Sequence, residues 1–397
     1  MDIEVLKECC RQRKILWSTH AAGRIQQRGI LRADVINCIM NGEIIEDYPT
    51  DYPHPSCLVF GHSLLGKVVH VVVGYDGNSL FVITAYFPSK EKFLDDLKTG
   101  KLSSLLERVL ADDTLDLELR GKCINIYYRG GSLFRITEKG SGTYEICFDS
   151  NYCDTEAWRN TGIIVICNPT IQQAVKNIPY YKQAMDMWLH KNPKYEREFQ
   201  QLLVRENNNQ GDISKSTDYY ILDIEYADDN DRSKSRFDIV ALKWESKSWI
   251  RKDNRKCSVV LMEMKYGDKA LDGTAGIEKH LEDFKNFFAK PLSERQAIYT
   301  DWEEVFKQKC KLGLVDGLQE KQYDVKIKFN EPENESENKP EVALIFANHD
   351  PDKTKLGDVL SKIDCNNYTF NILIANASNV GYGLYVDKMR DITEYQA

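Results

Sequence analysis

A chain of 397 residues is longer than one ordinary hydrophobic core supports, so two domains are expected. Hydrophobic residues make up 42% of it, which excludes wholesale disorder, and no apolar run approaches the roughly 18–20 residues that cross a bilayer. The net charge of -8 argues against a protein that coats nucleic acid non-specifically, but not against one that gathers carboxylates around a bound cation.

The start, Met1-Asp2-Ile3-Glu4, is acidic and lacks a basic-then-apolar leader pattern, so a soluble cytoplasmic protein with no membrane partner is expected. The 11 cysteines are scattered without a CxxC pair or zinc-finger spacing, which predicts reduced, mostly buried thiols.

Residues 1–98 read as an α+β module of two helices on a four-stranded antiparallel sheet. Ser18 is a good N-cap for a helix over 20–28 that Gly29 ends, and a second helix covers 33–40. Strands follow at 43–48, 57–61, 67–75 and 80–86, punctuated by Gly66 and Asp76-Gly77-Asn78. The charged, helix-prone stretch 99–118 is expected to be a helical connector.

Residues 119–397 read as an α/β domain with a mixed central sheet flanked by helices. Tyr127-Tyr128-Arg129-Gly130-Gly131 lies near its start, and a helical stretch over 172–206 leads to strands at 220–226, 237–244 and 258–265. A helix over 276–289 follows, then strands at 325–329, 342–347 and 370–375, with a solvated loop at 330–339.

Within this pattern, Asp238 sits in Phe237-Asp238-Ile239-Val240, and Glu263 and Lys265 in Leu261-Met262-Glu263-Met264-Lys265. Strand alternation points Glu263 and Lys265 to one face, about 7 Å apart. If the two strands are hairpin neighbours, Asp238 lies beside Glu263. Two carboxylates in an apolar sheet repel each other and resist burial, and a hard divalent cation between them removes both costs. Mg2+ (or Mn2+) suits one or two carboxylates plus a substrate phosphate, with the Met264 carbonyl as a third protein ligand. Lys265 is then placed to orient an attacking water and to stabilise charge on the phosphate. The competing reading is that the three are ordinary exposed strand-face charges.

The stretch 219–284 resembles the PD-(D/E)XK nuclease superfamily, with Asp238 as its first acid and Glu263-Met264-Lys265 as its (D/E)-x-K motif. The resemblance implies a restriction-endonuclease-like fold and magnesium-dependent hydrolysis of phosphodiesters, with DNA the favoured substrate. In the branch of RecB-like and Cas4-like exonucleases a Gln-Leu and a tyrosine follow on the next helix. Here His280-Leu281 and Phe284 stand there, which makes His280 a catalytic candidate and departs from that branch. The superfamily often carries a glutamate on the helix before the first strand, for which Glu198 is the first choice as a metal ligand and Glu196 and Glu206 are rivals. Asp223 and Glu225 are lesser candidates. The cluster 251–256, with Trp244 and Trp249 nearby, offers phosphate and base contacts or a plain solvated tip.

In the first module, His20, Arg24 and Arg28 (or Gln27) share one side of a helix, a stripe suited to phosphates or to pairing with Glu43, Glu46 or Asp47. The pattern from Trp17 through Ile83-Thr84-Ala85-Tyr86-Phe87-Pro88 resembles a family of small uncharacterised bacterial domains, similar to RelE-type and barnase-like ribonuclease toxins. That resemblance implies RNA as a substrate, an antitoxin-like or other protein partner, and His20, Arg24, Arg28, His70 and Tyr86 as participants. The alternative for the whole chain is a catalytically inactive nucleic-acid- or protein-binding regulator built on two nuclease-like folds.

Overall fold

The computed structural model describes residues 1–18, 21–23, 25, 30–66, 68–86, 91–120, 123–140, 143–153, 165–209, 216–227, 236–247, 249–250, 257–273, 276–315, 339–347, 354–377 and 381–396. The chain forms two compact units, Met1–Lys92 with Lys139–Thr143, and Phe93–Glu138 with Tyr144–Ala397.

The first unit opens with α1 (Ile3–Arg11), capped by the Asp2 carboxylate, which accepts the Glu4 N–H. This helix is not expected from the sequence pattern, although Leu6, Cys9 and Cys10 fall on its buried face. Ser18 caps the next turn as expected, its Oγ accepting the Ala21 N–H. Most of the expected helix over 20–28 lies outside the described residues.

After β1 (Ile15–Trp17) come α2 (Arg32–Asn41), β2 (Glu43–Tyr48), β3 (Ser56–His62), β4 (Val68–Tyr75) and β5 (Leu80–Tyr86). Strands β2 to β5 form the expected antiparallel meander. The sheet has five strands rather than four, because β1 joins the far edge parallel to β5, with Ile15 opposite Leu80. Three residues are too few for strand alternation to show in sequence.

The stretch expected to be a connector is core of the second unit. Helices α3 (Glu91–Lys98) and α4 (Ser103–Leu110) bury Leu97, Leu102 and Leu105 completely. They pack with α5 (Ile171–Lys191) on a four-stranded sheet of β6 (Leu115–Arg120), β7 (Cys123–Tyr128), β8 (Gly131–Gly140) and β9 (Thr143–Cys147). The charges on α3 and α4 sit between apolar positions at helical spacing, so the stripe packs while the charges stay wet.

The larger sheet runs β10 (Tyr219–Ala227), β11 (Arg236–Lys243), β12 (Ser258–Tyr266), β13 (Glu341–Ala347), β14 (Asn371–Asn376) and β15 (Arg390–Asp391) in spatial order. It is mixed, as expected: β10, β11 and β12 are antiparallel, and β12, β13 and β14 are parallel. On one face α7 (Ile277–Phe288) and α8 (Leu292–Lys311) pack Leu281, Phe284 and Phe306 against Val240 and Leu261. On the other, α6 (Tyr195–Val204) sets Leu203 and Val204 against Ile239, Ala241 and Met262. Strand β12 is therefore covered on both sides, which accounts for its near-continuous apolar run.

Buried polar contacts tie the two sheets together. Lys309 Nζ lies 2.7 Å from Oε2 of Glu118 on β6 and donates to the Leu222 carbonyl on β10. Arg120 on β6 reaches Asp223 on β10 at 3.0 Å. The strand and loop expected at 325–339 lie outside the described residues, except Lys339.

Candidate metal centre

The β11–β12 pairing sets Ile239 opposite Met262, and one step further along brings Asp238 level with Glu263. At that point the backbone ladder stops, and the Asp238 side chain takes over: its Oδ2 accepts the Met264 N–H at 3.0 Å. The hairpin neighbourhood expected from sequence is thus present. The Asp238 and Glu263 carboxyl groups are close enough to influence each other's ionisation. Lys265 Nζ donates to Glu263 Oε1 at 2.7 Å.

Helix α7 adds His280, whose Nδ1 lies 3.0 Å from the same Glu263 Oε1. One carboxylate oxygen therefore carries both basic groups. Ile277, Leu281 and Phe284, buried on the same helix face, fix the imidazole's height over the sheet.

Helix α6 adds Glu196, with Oε1 3.8 Å from Lys265 Nζ. Glu198, the first choice from sequence, is engaged elsewhere. Its carboxylate is held by Arg129 at 2.8 and 3.1 Å, and Arg129 also bonds Asp186 at 2.8 Å. Two residues along a helix is about 200° of rotation, so only one of the pair can face the sheet. The residue two places before Glu198 does so.

The clamp that selects Glu196 is the β7–β8 turn. Arg129 and Gly130 both have positive φ, 49° and 72°, and a Cβ on Gly130 would meet the Arg197 carbonyl oxygen at 2.1 Å. Gln201 accepts the Gly130 N–H and donates to the Thr114 and Tyr127 carbonyls. The Tyr-Tyr-Arg-Gly-Gly run thus docks α6 against the smaller sheet, a role that only long-range packing reveals.

Charge is poorly accommodated here. Burial, then the neighbouring Glu263, hold the Asp238 carboxyl well above the usual carboxylate range. Burial likewise pushes Glu263 up to about 7, against the pull of Lys265. Burial would lower Lys265, but Glu263 and Glu196 beside it raise it on balance.

Two neighbouring carboxyls, Glu263 buried and Asp238 half-buried, that resist ionising together are a donor set a divalent cation relieves. Among the described residues no group of three or more His, Cys, Asp or Glu side chains is arranged to hold a metal. The side chains offer two hard oxygen donors, which fits a cation that keeps water and takes further ligands from backbone and substrate.

Asp223 and Glu225 are engaged elsewhere, with Arg120 and with Arg197 at 3.3 Å. Glu206 lies in the π turn Arg205–Asn209 after α6. Trp244 is buried in the core and Trp249 is exposed, while the basic cluster 251–256 lies outside the described residues. In the first unit, His20, Arg24, Gln27 and Arg28 lie outside them, as does the side chain of Tyr86. His70 on β4 is the backbone partner of Tyr86 and packs edge-on against Phe60.

A domain of unknown function, DUF4258, matches residues 17–87. The first unit is therefore similar there to a small uncharacterised domain, as expected to that extent. No curated protein and no solved structure matches the chain. No helix of the described residues is long and apolar enough to cross a membrane.

Proposed function

We propose that the second unit is a magnesium- or manganese-dependent phosphodiester hydrolase acting on nucleic acid, with DNA the favoured substrate. The observation that carries this reading is the convergence on β11 and β12 of Asp238, bonded to the Met264 N–H, and the Glu263–Lys265 pair level with it. The restriction-endonuclease-like resemblance and the mixed sheet flanked by helices support it.

In this reading Asp238 and Glu263 would hold the cation, with the Met264 carbonyl as a further donor. A bound divalent cation supplies Lewis-acid polarisation of the phosphate and a more acidic water. Lys265 keeps its charge and, held by Glu263, directs its N–H donors toward negative charge that builds on the phosphate. His280 fixes the shared carboxylate oxygen, and Glu196 restrains Lys265.

The test is cleavage of DNA by the purified chain in magnesium and in manganese, with Lys265→Ala beside it. Cleavage by wild type that drops about a hundredfold or more in the folded variant supports the reading. Equal residual activity across metals would instead favour a regulator that has lost catalysis. The first unit would serve as an RNA-cleaving or partner-binding module, tested by RNA cleavage in a metal chelator and its loss in His20→Ala.

A further inference from the structure

A ladder of four aromatic rings, three stacked and Tyr195 tilted onto its end, shares elements with the carboxylate cluster. Tyr195 and Tyr266 have ring centroids 4.9 Å apart at 31°. Tyr266 stacks on Phe199 at 5.1 Å and 16°, and Phe199 on Tyr382 at 5.2 Å and 9°. The stack and the cluster share their elements. Tyr195 immediately precedes Glu196 on α6, and Tyr266 immediately follows Lys265 on β12.

The two ends of the stack differ. At the Tyr382 end the backbone carbonyl is tied down by Asn207, and burial pushes the Tyr382 hydroxyl up to about 12. At the other end Tyr195 meets one ring, Tyr266, and remains 48% exposed. A large aromatic side chain at the first turn of a helix is left half in water, with a ladder behind it to hold its plane. Basic residues flank it: Lys194 is exposed, and Arg197 is half-exposed and paired loosely with Glu225 at 3.3 Å.

We propose that Tyr195 is a base-stacking platform, so that the strand entering this site is single-stranded nucleic acid, with one base laid on the exposed Tyr195 ring. This rests on the nuclease reading of the adjacent site. Bases in a duplex are already stacked and cannot offer a free face, whereas an unpaired base can extend the ladder by one ring. The flanking Lys194 and Arg197 then neutralise the backbone of that same nucleotide. A stacking platform tolerates any base, so the recognition is of strandedness rather than sequence.

The alternative is that the ladder only docks α6 on the sheet. The two are separable because the exposed end contributes least to docking. Fluorescence anisotropy with labelled oligodeoxythymidine, free or paired with oligodeoxyadenosine, is measured in calcium for wild type, Tyr195→Ala and Tyr195→Phe. The proposal expects the single strand to bind more tightly than the duplex. It also expects Tyr195→Ala to weaken single-strand binding about tenfold with an unchanged melting temperature, and Tyr195→Phe to bind as wild type. Equal binding by Tyr195→Ala, a preference for duplex, or no binding by wild type overturns it. Metal-dependent cleavage with a neutral Tyr195→Ala overturns this inference alone. Tyr195-dependent binding without any cleavage overturns the nuclease reading alone.

Discussion

His280 and Lys265 grip the same atom: Nδ1 of one lies 3.0 Å and Nζ of the other 2.7 Å from Glu263 Oε1. That leaves the second oxygen of Glu263 for whatever the site binds. A histidine that orients a ligating carboxylate from behind commonly tunes metal affinity by about 10–100-fold. His280→Ala should therefore weaken manganese binding by about that factor in titration calorimetry. His280→Gln, whose amide can still donate to Glu263, should retain most of it. Equal loss in both variants would show that the position matters for packing alone.

The raised carboxyls make stability depend on pH and metal together. A group whose folded pKa is raised contributes stability that is present below its unfolded value and lost as pH rises through the folded one. For Glu263 that window runs from the ordinary carboxylate range to about 7, and Asp238 shifts in the same direction. Metal-free protein should thus melt lower at about pH 8 than at about pH 6 on account of these groups. Cations bind the ionised form, so manganese should raise the melting temperature more at the higher pH. Thermal melts in chelator and in manganese at both pH values measure the difference. Asp238→Asn should remove the manganese effect.

The two glutamates of α6 should separate cleanly. Glu198 pairs with Arg129 at a partly exposed position, so Glu198→Ala should cost about 1 kcal/mol of stability in urea unfolding. It should leave the cleavage rate of folded protein near wild type. Glu196→Gln should do the reverse, lowering the rate through Lys265 with little change in stability.

Gly130 should tolerate no side chain. Its φ of 72° and the 2.1 Å approach of a Cβ to the Arg197 carbonyl both oppose one. Gly130→Ala should cost about 2–4 kcal/mol, from left-handed strain plus displacement of α6. Urea unfolding measures this, and the same variant should loosen the Glu196–Lys265 contact and slow cleavage.

The strands that carry the site were legible because β11 and β12 are buried on both faces, so apolar runs interrupted by Asp238, Glu263 and Lys265 stand out. Their pairing followed from the long polar loop between them. The choice between Glu196 and Glu198 was not legible, since it depends on a turn about 70 positions earlier in the chain that captures one of them. Helix α8 was not foreseen, because polar and charged residues such as Glu303, Glu304 and Lys307 break up its apolar stripe of Tyr299, Trp302 and Phe306. The ring stack of Tyr195, Tyr266, Phe199 and Tyr382 draws on three separate segments and has no local signature. The helices of the expected connector are present, but their packing into the second unit's core has no local signature either. Charges on α3 and α4 dominate the composition, while their few leucines determine the packing.

A crystal structure grown in manganese tests the central claim most directly. The account predicts one anomalous peak shared by the Asp238 and Glu263 carboxylates, lost in Asp238→Asn. A peak bound elsewhere, or none at a concentration that supports cleavage, would contradict it.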